Sequence, residues 1–372
     1  MNQLLRIRLF AHSWISDWNH GNAHFLRGLA RELAAMGHEV RCYEESGGWS
    51  LSNLEREEQG QRAIEGFHRT YPELDIRCYG CDAELGAFLD RELTDADLVL
   101  IHEWNSRKAI AEILARKQRL GFRALFHDTH HRAYSNPAEI LRLPLDRFDG
   151  VLAFGESIRR IYAEGFGVPR VWTFHEAADV SVFHPLDRPK QNDVIWIGNW
   201  GDEERSQELM EFLVRPGACL AAEQRRVVVH GVRYPHEARE TLLGSGIEYA
   251  GYLPNLDAPE LYARSRLALH VPRRQYANGL SGVPTIRVFE VLACGIPLLC
   301  APWTDTEGLF RAGEDYLLAD SGEEMLALQR ELLRSESARQ SVAASGLETI
   351  RQHHTCRHRA EQLMEICGEI NR

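Results

Sequence analysis

Apolar positions in the first half of the chain fall in short runs separated by longer mixed stretches. "RIRLFAH" (Arg6–His12) reads as a strand. "GNAHFLRGLARELAAMGHEV" follows and sets Phe25, Leu26, Leu29, Leu33 and Met36 on one helical stripe, which Gly37 closes. Further strands are expected at "EVRCYE", Leu74–Tyr79, Asp97–His102, Arg123–His127, Gly150–Phe154 and Arg170–Phe174, mostly with helical segments between them. This alternation predicts a parallel sheet with helices on both faces. "PLDRPKQND" (Pro185–Asp193) is rich in proline and charge and reads as an interdomain linker. A second alternating series has strands at Val194–Gly198, Arg226–Gly231, Ile247–Tyr252, Leu267–Pro272 and Pro297–Trp303, and the tail from Ala343 is helical. The pattern describes two doubly wound α/β domains in tandem, whose ligands bind at the carboxyl ends of the strands.

Length agrees with this: 372 residues exceed one ordinary core. No run of about 18 apolar residues exists to span a membrane, and the N-terminus is too short in apolar residues for a secretion signal. Cys42, Cys294 and Cys300 lie inside apolar runs, as buried reduced thiols of a cytoplasmic protein do. Cys78 and Cys81 form a close pair that no second pair answers, so a metal or redox site is not assigned to them. A net charge of −11 argues against a nucleic-acid partner. Basic residues are nearly all arginine, which suggests a GC-rich bacterial genome. One stretch, Arg107 to Arg123, is locally basic; a solvated face explains it, with peripheral contact to a lipid-linked acceptor as the alternative.

The chemistry starts at "SGVPTIRVFEVLACGIP" (Ser281–Pro297). Pro284 and Gly295 bracket a helix whose larger arc is apolar, yet Arg287 and Glu290 share a narrow stripe with Cys294. A charged i,i+3 pair on a buried helix needs a partner or an opening. The preceding "YANGLSGVPT" runs as a glycine-bearing loop into the helix N-terminus, where free N–H groups suit a phosphate. No G-x-G-x-x-G follows the first strand, which disfavours a dinucleotide oxidoreductase.

This stretch resembles the donor-nucleotide motif of GT-B-fold glycosyltransferases, in the group resembling the spore maturation protein CgeB and related to family 4. "HGNAHFLRGLARELAAMGHEV" resembles the glycine loop and first helix of that family, "FHEAADVSVFHP" its crossover segment, and "WIGNWGDEERSQEL" its phosphate turn. "IEYAGYLPNLDAPELYARSRLALHVP" resembles its base-binding turn, and "HTCRHRAEQL" its closing helix. The resemblance implies two Rossmann-like domains facing a cleft: residues 1–185 on the acceptor side, 186–345 on the donor side, and 346–372 as a helix crossing back to the first domain. By position, Glu290 would hold the donor ribose, with Arg287 supporting it or reaching the diphosphate and Thr285 at the helix start beside them. Gly251, Tyr252 and Leu253 would lie against the base. Gly198 and Asn199 belong to the phosphate turn. Arg205 stands where family 4 relatives keep a phosphate-binding lysine, and Arg273 is a second candidate for that charge. Two positions depart from family 4: Gly282 replaces a glutamate and Asn199 an arginine.

On the acceptor side, His127 matches the family's cleft histidine and would accept a proton or bond the transferring sugar. Asp128, His130 and His131 crowd the same loop, while Gly21 and Asn22 follow the first strand. "HEWN" (His102–Asn105) ends another strand. Neither H-D-x-H-H nor the i,i+4 pair His354 and His358 is assigned a metal, because arginines and helix termini serve the leaving diphosphate in this family. His354 and His358 are expected on the crossover helix. No cofactor is expected; a UDP- or GDP-sugar is the donor substrate. The acceptor is a glycan, lipid-linked, protein or small-molecule hydroxyl. The reading is thus a metal-independent, retaining glycosyltransferase. The alternatives are a nucleotide-sugar epimerase or sugar phosphorylase of the same fold, and a non-catalytic nucleotide-sugar-binding partner subunit.

Overall fold

The computed structural model describes residues 4–370. The first three residues and Asn371–Arg372, which the sequence reading includes in the first domain and the last helix, lie outside the described residues. The chain divides into two compact units. One runs to Glu176 and takes the chain back from Cys356; the other is Ala177–Thr355.

The first unit is built on seven parallel strands: β1 (Arg6–Phe10), β2 (Glu39–Glu45), β3 (Asp75–Tyr79), β4 (Leu98–His102), β5 (Arg123–Asp128), β6 (Gly150–Ala153) and β7 (Val171–Thr173). Their order is β3-β2-β1-β4-β5-β6-β7. All five residues of β4 are buried, as expected of a central strand covered by helices on both faces. The helix Ala23–Ala35 turns Phe25, Leu26, Leu29 and Leu33 inward and ends before Gly37 at φ +93°.

The second unit has six parallel strands: β8 (Asn192–Ile197), β9 (Val227–His230), β10 (Glu248–Tyr249), β11 (Ser265–His270), β12 (Leu298–Cys300) and β13 (Leu317–Leu318). They are ordered β10-β9-β8-β11-β12-β13. Val194, Trp196, Val229, Leu267, Leu269 and Leu299 from its strands share one core with Leu209, Leu213 and Met325. The edge strand β13 has only two residues, too few for the alternation that reveals a strand.

The proline-rich stretch Pro185–Asp193 lies within the second unit. Prolines and charges mark it as surface, whereas the chain passes between units at buried Glu176 and Ala177. The C-terminal helical tail is also interrupted. One helix ends at His353, the next begins at Cys356, and between them the His354 carbonyl accepts from Ala178 N–H at 2.9 Å. His354 and His358 therefore do not share a helix, and the i,i+4 geometry expected from their spacing does not form. His354 Nε2 instead pairs with the Leu309 carbonyl at 2.9 Å. The final helix, Cys356–Ile370, packs on the helix Ala23–Ala35. It is tied to the β7 edge by Gln362 Nε2 donating to Thr173 O (2.9 Å) and by Trp172 Nε1 donating to Glu369 (2.8 Å).

Candidate functional site

In each sheet the strand order reverses once, between β1 and β4 and between β8 and β11. Open α/β sheets bind ligands outside the carboxyl ends of strands at such points. In both units the polar groups singled out from the sequence gather there.

In the second unit the turn after β8 begins at Gly198, whose added Cβ would lie 2.7 Å from the Trp196 ring; only glycine allows this approach. Tyr234 Oη donates to the Gly198 carbonyl at 3.0 Å. Arg205 reaches back under this turn. It donates to Asn199 O and Oδ1, both at 2.6 Å, and to the Val271 carbonyl after β11 at 3.2 Å. Three bonds to neutral oxygens thus hold a buried cation. Burial, then the neighbouring Arg273, pull its pKa down to about 9, so it stays charged at neutral pH. Arg273 also approaches Asn199 Oδ1, at 3.4 Å, and pairs with Glu204. Arg287 is close enough to lower the Arg205 pKa as well.

The helix Ile286–Ala293 starts after Thr285, whose hydroxyl does not cap it but pairs with His270 Nε2 at the end of β11 (2.8 Å). His270 is kept neutral, with a pKa of about 3, by burial and then by Arg205 and Arg287. Glu290 is wholly buried and its carboxylate accepts from Arg287, from Asn255 Nδ2 at 2.9 Å and from Tyr262 Oη at 3.4 Å. Arg287 is the partly accessible member of the pair. Gly251 takes φ +71° and its carbonyl accepts from Gly231 N–H at 2.8 Å; Tyr252 and Leu253 beside it are half-buried. Glu204, Asn255, Tyr262 and His270 of this cluster escape the sequence reading. Asn255 lies two residues past the turn Gly251–Leu253, and His270 is the last residue of its strand.

In the first unit, His127 sits near the end of β5 with no accessible surface. Its ring packs on Phe174 (5.6 Å between centroids), His102 (5.6 Å) and Phe25 (6.1 Å), and neither nitrogen has a hydrogen-bond partner. Burial lowers its pKa to about 3. His12, just after β1, is lowered to about 4 by burial and by Arg132, and its ring lies 4.0 Å from that of His20 between centroids, tilted by 48°. His102 Nε2 pairs with Thr129 Oγ1 at 2.8 Å. These imidazoles form a neutral layer at the switch point.

Asp128 is also buried; it accepts from Tyr162 Oη (2.6 Å) and His130 N–H (2.9 Å). Burial and the adjacent Glu103 push its pKa well up. Glu103, which follows β4, accepts from Arg132 Nε and Thr129 N–H at 2.8 and 2.9 Å. The Arg132 guanidinium lies 3.8 Å from the centre of the exposed Trp104 ring. His130 meets the edge of that ring at 5.2 Å, and His131 Nδ1 pairs with Ser135 Oγ at 2.8 Å. Gly21 and Asn22 form the turn into the helix Ala23–Ala35. The Glu103–Arg132 brace was not anticipated, because its members are far apart in sequence. Among the described residues no three His, Cys, Asp or Glu side chains are grouped to hold a metal ion. No described helix is long and apolar enough to cross a membrane. The expected basic helix, Arg107–Leu120, pairs Arg116 and Arg119 with Asp90, and Lys117 with Asp149.

A family model described as Glycosyltransferase Family 4 matches residues 21–200, and one described as Glycosyl transferase-like matches residues 205–365. No curated protein matches the chain in sequence. Among solved structures, Anabaena HepE in complex with UDP-glucose is similar at 12% identity and a TM-score of 0.69, over 98% of this chain and 100% of that one. An alpha-glucosyltransferase in complex with UDP and a 13-mer DNA containing a HMU base gives 13% identity and 0.73, over 98% and 100%. Sucrose-phosphate synthase from Thermosynechococcus elongatus gives 13% and 0.64, over 98% and 99%. At these identities the likeness is one of fold.

Proposed function

We propose that the chain, a GT-B-fold glycosyltransferase by two family matches that run almost end to end, binds a nucleotide-sugar donor on its second unit and transfers the sugar to an acceptor hydroxyl bound by the first. The observation that carries this is the arginine group at the carboxyl edge of the second sheet. Arg205, Arg273 and Arg287 lie close together, and the hydrogen bonds of buried Arg205 all go to neutral oxygens, with the neighbouring carboxylate, Glu204, paired to Arg273. A diphosphate would supply the negative charge that Arg205 has no ion-pair partner for and accept from planar donors. As the glycosidic bond breaks, negative charge grows on that diphosphate, so the same cations stabilise the transition state. The uncapped start of the helix Ile286–Ala293 adds its N–H groups and dipole.

The donor is a UDP- or GDP-sugar: structures similar in fold hold UDP or UDP-glucose. Gly251, Tyr252 and Leu253 face the base. Arg287 touches the ribose or diphosphate, and Glu290 fixes it. A direct bond from Glu290 to a ribose diol requires Arg287 or Asn255 to swing aside, since the carboxylate is sealed in this state. No resident metal is proposed, because the arginines can carry the leaving-group charge. On the first unit, His127 is the proposed base or hydrogen-bonding group once the packing that seals its ring in this state opens, and Gly21, Asn22, His130 and His131 are the proposed acceptor side. Retention of configuration and membership of the CgeB-like group rest on the motif resemblance alone, and glycine at 282 departs from the family 4 pattern on which retention depends.

The test is a thermal-shift panel of UDP, GDP, dTDP, ADP and CMP sugars, followed by product analysis with the donor that binds. A ligand at 100 times its Kd adds about 2.7 kcal/mol of stability. Stabilisation by one nucleotide class and sugar transfer to an acceptor are expected. Interconversion of the donor without acceptor would mean an epimerase, and no shift with any of them would overturn donor binding.

A further inference from the structure

Residues 103–105, where the chain leaves the carboxyl end of β4 at the switch point, invert the usual burial pattern. Glu103 and Asn105 are buried, while Trp104 between them is 42% exposed. Both polar neighbours are pinned. Glu103 N–H donates to the His127 carbonyl at 2.9 Å, and Asn105 Nδ2 donates to the carbonyls of Phe10 (2.9 Å) and His102 (2.7 Å). The backbone that presents the indole is therefore fixed, and the fold holds a large apolar ring in water. Buried polar groups and exposed large apolar ones are the informative exceptions to ordinary packing, and such exceptions collect at functional sites.

The ring itself is also braced. The Arg132 guanidinium lies 3.8 Å from its centre. That guanidinium is anchored in turn: Nε donates to Glu103 Oε2 and Nη2 to Glu103 O, both at 2.8 Å. The Glu103 side chain that takes the charge has 0% of its surface exposed. The His130 ring stands across the indole at 5.2 Å and 73° between planes. Two donors of this group, Trp104 Nε1 and Arg132 Nη1, have no hydrogen-bond partner among the described residues. The result is an exposed aromatic face with free N–H groups beside it.

We infer that Trp104 is a stacking surface for a saccharide ring and that the acceptor is a neutral glycan. This rests on the sugar-transfer reading above. A sugar ring offers a C–H face to the indole while its hydroxyl oxygens project at the rim, where the Trp104 and Arg132 N–H groups can donate to them. A planar aromatic alcohol would use the face and leave those donors without acceptors, and a lipid chain would do the same. A nucleic acid is disfavoured by the net charge of −11. The charge of Arg132 is already met by Glu103, so the sugar need not be acidic. Because the brace holds the ring before a ligand arrives, little side-chain freedom is lost on binding.

The experiment presents wild type, Trp104→Phe and Trp104→Ala to an array of neutral oligosaccharides of glucose, galactose, mannose and N-acetylglucosamine, with the nucleotide thermal shift measured alongside. Wild type is expected to bind at least one saccharide. Trp104→Ala should bind it roughly tenfold more weakly, the scale of one well-made aromatic contact. Trp104→Phe keeps a smaller face and loses the indole N–H, so its affinity should fall between the two. All three proteins should show the same nucleotide shift. Binding of no saccharide by wild type, or equal binding by Trp104→Ala, overturns the inference. A nucleotide shift that falls together with saccharide binding in Trp104→Ala would mark a structural role and overturns it too. If wild type shows no nucleotide shift, the donor reading fails and this inference falls with it; if the shift is present and the saccharide result negative, only the role of Trp104 fails.

Discussion

Arg287 and Glu290 form an ion pair one helical turn apart in which the carboxylate is sealed and the guanidinium is not: Glu290 has 0% of its side chain exposed and Arg287 21%. Glu290→Ala would leave a cation and the Asn255 amide without their acceptor. The expected cost is about 2–4 kcal/mol in urea unfolding, at the lower end of values for broken buried pairs because Arg287 reaches solvent. The double variant Arg287→Met/Glu290→Leu should recover most of that stability. Neither should bind nucleotide as wild type does, with losses of roughly 1–3 kcal/mol for a charged hydrogen-bonding group. Full nucleotide affinity in the folded double variant would remove the pair from the donor site.

Arg205 presents the opposite balance. It is a buried cation whose hydrogen bonds go to neutral oxygens and which has no ion pair of its own, so its desolvation outweighs the favourable field of Glu204. Arg205→Met should cost the second unit about 1–3 kcal/mol, because the Asn199 and Val271 oxygens lose their donor, an effect partly offset by the relief of a desolvated cation. The thermal shift produced by a nucleoside diphosphate should be lost or strongly reduced in this variant. An undiminished shift would show that the diphosphate does not meet Arg205.

His127 fills an apolar niche with two unpartnered ring nitrogens. His127→Phe keeps the shape and removes the buried polar atoms, so chemical denaturation should show stability equal to wild type or up to about 2 kcal/mol higher. Donor binding should persist while sugar transfer slows. Wild-type turnover in this variant would reduce His127 to a packing residue.

The first unit should be acid-sensitive. His12 and His127 titrate near 4 and 3 in the folded state, both lowered first by burial, against an ordinary value near 6.5. Below about pH 6.5 the unfolded chain takes up protons that the folded chain refuses, so stability falls as pH drops toward 4. Two such groups give a limiting slope of about 2.7 kcal/mol per pH unit. Urea midpoints measured between pH 7 and 5 test this, and His127→Phe should show a shallower slope.

The strands were legible because buried parallel strands are continuous apolar runs, as β4 and β12 illustrate. β13 was hidden by its length and β10 was overestimated, since most of Ile247–Tyr252 is loop. In the second unit the local charge pattern of Arg287 and Glu290 pointed to a real pair, because i,i+3 spacing fixes contact on a helix. Contacts set by the crossing of distant loops could not be read this way. Asn255 on Glu290 and Arg132 on Glu103 both join residues that only the sheet order brings together. His354 and His358 show the converse. Their spacing mimicked a helical pair, and a two-residue break in the helix separated them.

That break also sets an order of events during synthesis. The first sheet is finished by residue 173, but the helix that covers Ala23–Ala35 is not made until residues 356–370 emerge. Between those points the ribosome delivers the whole second unit, which takes its strands and helices from one continuous stretch. The second unit can therefore complete its core first. The earlier-made unit must wait with the side of its first helix that the last helix covers still open, and it is the part of the nascent chain most in need of protection from aggregation.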